Sequence, residues 1–206
     1  MDEALEVRRF WFGRLPLKAE GVPARLALWF GSREDEERTD ELVRSRFGDL
    51  VGRAAAGGLA AWADSPRRRL SLILLLDQFP RHVHRGTERA FATDREALAL
   101  TLSGMQSAAD AALTPVERIF FYMPLQHAEL HDAQEESVAA YRRLLNEAPD
   151  DLKSLFASSL ESAELHRAIV ARFGRFPHRN RVLGRSNSAE EEEYLRDGGR
   201  SFGQQA

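Results

Sequence analysis

Pro66-Arg67-Arg68-Arg69-Leu70-Ser71-Leu72-Ile73-Leu74-Leu75-Leu76-Asp77-Gln78-Phe79 opens with a proline and three arginines and then turns apolar on every side. Ser65 ahead of Pro66 marks a helix start, because a proline at the first helical position has no N–H to leave unpaired. From Leu70 to Leu76 a helix shows no polar stripe, and a helix that is apolar all round must be covered by neighbours on opposite faces. This stretch therefore belongs at the centre of a multilayer helical array rather than in a two-helix hairpin.

Helix signals continue on both sides of it. Thr93 with Glu96, Thr114 with Glu117 and Ser188 with Glu191 have the spacing of a capping box, and Pro115 sits just inside the second. Leu152, Phe156, Ser159, Ala163, His166, Ile169, Val170 and Phe173 form a helical stripe, which predicts a helix over 151–173 that stops at Gly174. Val138, Tyr141, Leu144 and Leu145 give a shorter helix before Pro149. Phe10-Trp11-Phe12-Gly13 and Leu28-Trp29-Phe30-Gly31 predict short helices that end at glycine with their aromatics packed in the core. No stretch alternates with period two between hairpin turns, so the class is all-α, either a helical solenoid or an irregular bundle.

The 206 residues, with 43% hydrophobic and 30% charged content, suit one domain over 1–206, with 197–206 expected as a flexible tail. Without cysteine there are no disulfides, thiolate metal sites or cysteine nucleophiles, and a reducing compartment is permitted. The acidic start lacks an apolar signal core, and the run Leu72–Leu76 is far too short to span a bilayer, so the cytoplasm is expected and no membrane. A net charge of -3 argues against general nucleic-acid binding, although an arginine segment leaves RNA as a narrow possibility. The acidic run 32–41 is expected to be the solvated face of a helix. From Leu165 to Ala189 there is no carboxylate, while Arg167, Arg172, Arg175, Arg179, Arg181 and Arg185 recur.

Three polar clusters stand out. Asp77, Gln78, Arg81, His82, His84 and Arg85 end the apolar helix. Asp77 and Arg81 are spaced for a local ion pair, Arg85 for the helix's terminal carbonyls, and Asp77, Gln78 and Arg81 for reaching into a groove. Gln126, His127 and Glu129 follow Pro124, which must kink or restart its helix; if the helix resumes, His127 and His131 share a face. Two histidines four apart are weak evidence for a metal, and neither metal nor cofactor is expected. Phe173-Gly174-Arg175-Phe176-Pro177-His178-Arg179-Asn180, followed by Leu183-Gly184-Arg185, presents cations around residues that break a helix. Arginines held together repel unless an anion lies between them, which Asp77, Asp94, Glu129 or a ligand would supply. His166, on the apolar stripe, reads as a satisfied core histidine.

FGRFPHRN with LGR, LDQFPR, Arg85-Gly86 with Ala90-Phe91 and Asp94, and YMPLQHAE together resemble the bacterial domain-of-unknown-function family nine-two-four, from about Phe10 to Tyr194. The resemblance implies an all-α, tetratricopeptide-repeat-like superhelix of stacked helix pairs in a single compact domain, and no activity. Its polar signature falls on Asp77, Gln78, Arg81, Arg85, Asp94, His127, Glu129, Gln134, His166, Arg172, Arg175, His178, Arg179, Asn180 and Arg185. His82 stands where that pattern usually has Asn, and Asn187-Ser188 where an acidic residue and Thr are common. Facing inward from the helix that leads into the basic turn, His166 is also placed to hold that turn, and Asp94 to supply it with negative charge.

Two functional readings follow. In the first, a binding module captures an acidic peptide or small anionic molecule with Gln78, Arg81, Arg85, Arg175, Arg179, Asn180 and Arg185. In the second, an enzyme uses His127 or His178 as general acid or base, Asp77 or Glu129 to orient it, and arginines to stabilise negative charge. No serine sits in a nucleophile elbow, so that enzyme would activate water.

Overall fold

The computed structural model describes residues 2–14, 19–200 and 202. Of the expected flexible tail 197–206, residues 201 and 203–206 lie outside the described residues. The helices are α1 (Glu3–Phe12), α2 (Pro23–Phe30), α3 (Arg33–Ala55), α4 (Pro66–Ile73), α5 (Phe79–Val83), α6 (Asp94–Gln106), α7 (Pro115–His127), α8 (His131–Glu147), α9 (Lys153–Phe173) and α10 (Ala189–Arg196). No strand occurs among the described residues. A π-helical turn, Leu74–Gln78, joins α4 to α5.

The stretch from Pro66 to Phe79 is central, as its composition requires. Leu70, Leu72, Ile73, Leu74, Leu75, Leu76 and Phe79 are all buried, with α1, α6 and α7 packed on α4 and α3 packed on α5. Farther along, α7, α8 and α9 pack each on the next. One apolar cluster runs through these elements, and a smaller one joins Ile169, Val170 and Phe176.

The π-turn has a local cause. Pro80 has no N–H for the carbonyl of Leu76 and its ring crowds that carbonyl; Thr93 Oγ1 donates to the Leu76 oxygen instead, at 2.6 Å. Thr93 is thus occupied and does not cap α6, so the Thr93–Glu96 capping box is absent although the helix begins at Asp94. Thr114–Glu117 and Ser188–Glu191 do form capping boxes, and Ser32–Asp35 makes another. Pro124 neither ends nor restarts its helix: α7 continues to His127, with Thr101 and Tyr141 hydroxyls donating to the carbonyls of Phe121 and Ile119 near the interruption.

The aromatic pairs are split. Trp11 and Phe12 are core residues and α1 ends at Gly13 with φ 74°. Phe30 is 57% exposed, and Gly31 is extended rather than left-handed. The acidic helix face is solvated except at Thr39 and Asp40, which are buried on the same side as Val43 and Phe47.

Candidate functional site

The π-turn carries Asp77 into the interior, where it is fully buried, opposite His127 at the end of α7. His127 Nδ1 lies 2.8 and 3.0 Å from the two Asp77 oxygens. Gln78 Nε2 donates to Asp77 Oδ2 at 2.5 Å, and Arg81 Nη1 is 3.6 Å from Oδ1. Burial opposes the Asp77 charge, but His127, Arg81 and these hydrogen bonds outweigh it and hold the carboxyl well below the usual carboxylate range. An ionised carboxylate only accepts, so the proton between the pair sits on His127 Nδ1. Burial in turn pushes the His127 imidazole below 6.5, against the pull of Asp77. At neutral pH the ring is therefore uncharged, with its Nε2 lone pair available.

Two buried arginines share one carboxylate beside this pair. Arg81 makes a two-pronged contact with Asp94 at 2.8 and 2.9 Å, and Arg179 Nη1 reaches the same group at 3.3 Å. The Arg179 guanidinium lies between the rings of Phe91 and Phe176, 4.7 and 4.5 Å from their centroids. Its Nε is buried and has no partner among the described residues. Burial pulls the Arg179 guanidinium down to about 10, with Asp94 opposing and Arg81 adding to the fall. His178 is pushed down to about 3 by burial and by Arg179, and its Nδ1 is also without a partner among the described residues. His166 donates from Nδ1 to the Ser162 carbonyl at 2.8 Å, burial keeps it neutral, and Phe202 stacks on it with centroids 3.7 Å apart.

These groups face a cleft of about 450 Å³ whose wall includes Gln78, Arg81, His82, Arg85, His127, His166, His178 and Arg179, with Trp29, Phe30, Phe91 and Phe202 as its aromatic surfaces. A neutral base held by a buried carboxylate, beside an incompletely bonded guanidinium, is an arrangement that can take a proton from water and meet negative charge as it forms.

Not every expected ligand-binding residue reaches this cleft. Gln78, Arg81, Arg85 and Arg179 line it. Arg175 instead pairs with Glu191 at 2.6 and 2.7 Å, and Arg185 with Glu129 at 2.6 and 2.9 Å. Asn180 is buried, bonded to Asn187 and Arg185. Glu129, expected as an orienting carboxylate, also accepts the Phe176 N–H at 2.8 Å; it fixes the basic turn rather than a histidine. Arg85 binds Asp40 at 2.6 and 2.9 Å. His127 ends α7 and His131 begins α8, so they do not share a helix face, and His131 is exposed.

Several residues of the cleft and its support escaped the sequence reading. Asp40 holds both Arg85 and His82, the latter at 2.7 Å; the spacing Thr39, Asp40, Val43, Phe47 marks it as inward-facing within an otherwise solvated run. Phe91 and Phe202 carry no polar signal. Ser162 lies on the α9 stripe one turn before His166, a position that the run of apolar neighbours hides.

A family model described as a bacterial protein of unknown function, DUF924, matches residues 7–199. Among solved structures, the chain is similar to the protein of unknown function ATU0120 from Agrobacterium tumefaciens, with 35% sequence identity and a TM-score of 0.77 over 95% of this chain and 97% of that one. No curated protein matches. No helix among the described residues is long and apolar enough to cross a membrane.

Proposed function

We propose that this chain, which belongs to the bacterial DUF924 family, is a hydrolase that uses His127 as general base to add water to an ester of a carboxylic or phosphoric acid. The observation that carries this reading is the fully buried Asp77 carboxylate bonded to His127 Nδ1. Water gives a proton to His127 Nε2 as its oxygen bonds to the carbonyl carbon or phosphorus. Asp77 steadies the imidazolium that forms, and Arg179 offers its unpaired Nε–H to the developing oxyanion. The bond to the leaving alkoxide then breaks, and that group takes the proton back from His127. Acid and alcohol are the products.

A second reading is capture of a small anionic molecule without turnover. It is favoured by Arg179, whose buried Nε–H has no partner among the described residues and is placed to meet an anion. An acidic peptide is less well matched, because Arg175 and Arg185 are engaged by Glu191 and Glu129. The succession of α7, α8 and α9, each packed on the next, supports a stacked-pair architecture of tetratricopeptide-repeat kind. A chain without cysteine needs no oxidising compartment, which supports a cytoplasmic setting.

Hydrolysis of p-nitrophenyl acetate and p-nitrophenyl phosphate between pH 4.5 and 8 tests the leading reading. Only unprotonated His127 accepts a proton, so kcat/KM is expected to be level near neutrality and to fall as the pH drops through an apparent pKa below 6.5. Release no faster than background from both esters contradicts it and leaves anion capture.

A further inference from the structure

Beside the polar cleft lies a second cavity of about 560 Å³, lined by Val22, Pro23, Leu26, Leu152, Leu155 and Tyr141 together with serines of α9. The two cavities have Phe30, Met123, Gln126 and Ser162 in common. Their partition is light. The Gln126 Nε2 to Ser162 Oγ hydrogen bond is long, at 3.4 Å, and Met123 is a flexible apolar side chain that adapts to what lies against it. Gln126 directly precedes His127, so the partition stands next to the base.

The roof of this chamber is itself unusual. The helix α2, Pro23-Ala24-Arg25-Leu26-Ala27-Leu28-Trp29-Phe30, is mostly apolar, yet none of its residues is buried. Leu26 and Phe30, exposed by 39% and 57%, both line the chamber. Water against that much apolar surface is costly, at about 25 cal/mol per Å², and an apolar chain threaded past Met123 would cover it.

We infer that the substrate is an amphiphile: an acyl ester whose carbonyl sits in the His127–Arg179 cleft and whose aliphatic tail fills the chamber beneath α2. This rests on the proposed hydrolysis and narrows it from carboxylic or phosphoric esters to medium-chain acyl esters. Polar and apolar parts of one ligand are thereby read by two adjoining compartments, the first by charge and hydrogen bonds and the second by burial.

The test uses p-nitrophenyl acetate, butyrate and octanoate as substrates, and calorimetric titration with butyrate and octanoate. Burial of each added methylene predicts a rise in kcat/KM and in affinity of about two- to fourfold. Ser158→Trp and Leu26→Asp, which alter the chamber but not the polar cleft, should flatten the series and leave acetate hydrolysis unchanged. Acetate turnover with no dependence on chain length overturns the chamber and leaves the hydrolase standing. Octanoate binding tighter than butyrate, lost in Ser158→Trp, with no ester cleaved, supports the chamber and overturns the hydrolase. Equal affinity for the two acids together with no cleavage overturns both.

Discussion

His127→Gln is expected to lower kcat/KM for p-nitrophenyl acetate by about 10²–10⁴-fold while the protein stays folded. The magnitude is that of a positioned general base. Glutamine keeps an N–H donor for the buried Asp77 carboxylate, so the substitution removes the proton acceptor with the least disturbance to the surrounding charges. Asp77→Asn acts on the same step from behind. An amide can donate as well as accept, which removes the demand that His127 carry its proton on Nδ1, and the rate should fall by a similar order without a matching change in KM. If His127→Gln retains more than a tenth of the wild-type rate, water is being activated by another group. His178, neutral and lining the same cleft, is then the candidate.

Asp94→Ala is expected to cost about 3–5 kcal/mol of unfolding free energy, the usual cost of leaving buried charge without its partner. Its carboxylate accepts hydrogen bonds from the guanidinium ends of both Arg81 and Arg179, each under 10% exposed. Without it, Arg179 loses its paired carboxylate and Arg81 keeps only Asp77. Arg179→Met should behave in the opposite way and leave stability unchanged or raised, because it removes a cation whose Nε has no partner among the described residues. In the double variant, Arg179→Met should recover part of the loss. Urea denaturation of the four proteins measures this cycle. A cost below about 1 kcal/mol for Asp94→Ala would mean that Arg81 and Arg179 are compensated elsewhere.

The core of the fold was readable because its signal is local. Leu70 to Leu76 can be satisfied only by burial, and the stripe from Leu152 to Phe173, ended by Gly174, has the period of one helix. What the sequence hid was long-range. Thr93 has the spacing of a capping residue, but its hydroxyl serves the Leu76 carbonyl that Pro80 leaves without a donor, a demand set 17 residues away. The basic turn showed cations without nearby carboxylates, and composition alone could not assign the carboxylates to them. Glu191 holds Arg175, Glu129 holds Arg185 and Asp94 holds Arg179. Only Arg179 of these three lines the cleft. Asp77 and His127 were both visible as candidates, whereas their pairing across 50 residues required the π-turn.

The proposed chemistry depends on Asp77 holding His127 as a neutral base with a free Nε2. Nitrogen-15 NMR of the histidine side chains at pH 7, with His127→Gln used to assign the signal, measures this directly. The expected result is a neutral ring protonated on Nδ1, which becomes charged only below pH 6.5. An imidazolium at pH 7, or a neutral ring protonated on Nε2, would contradict it.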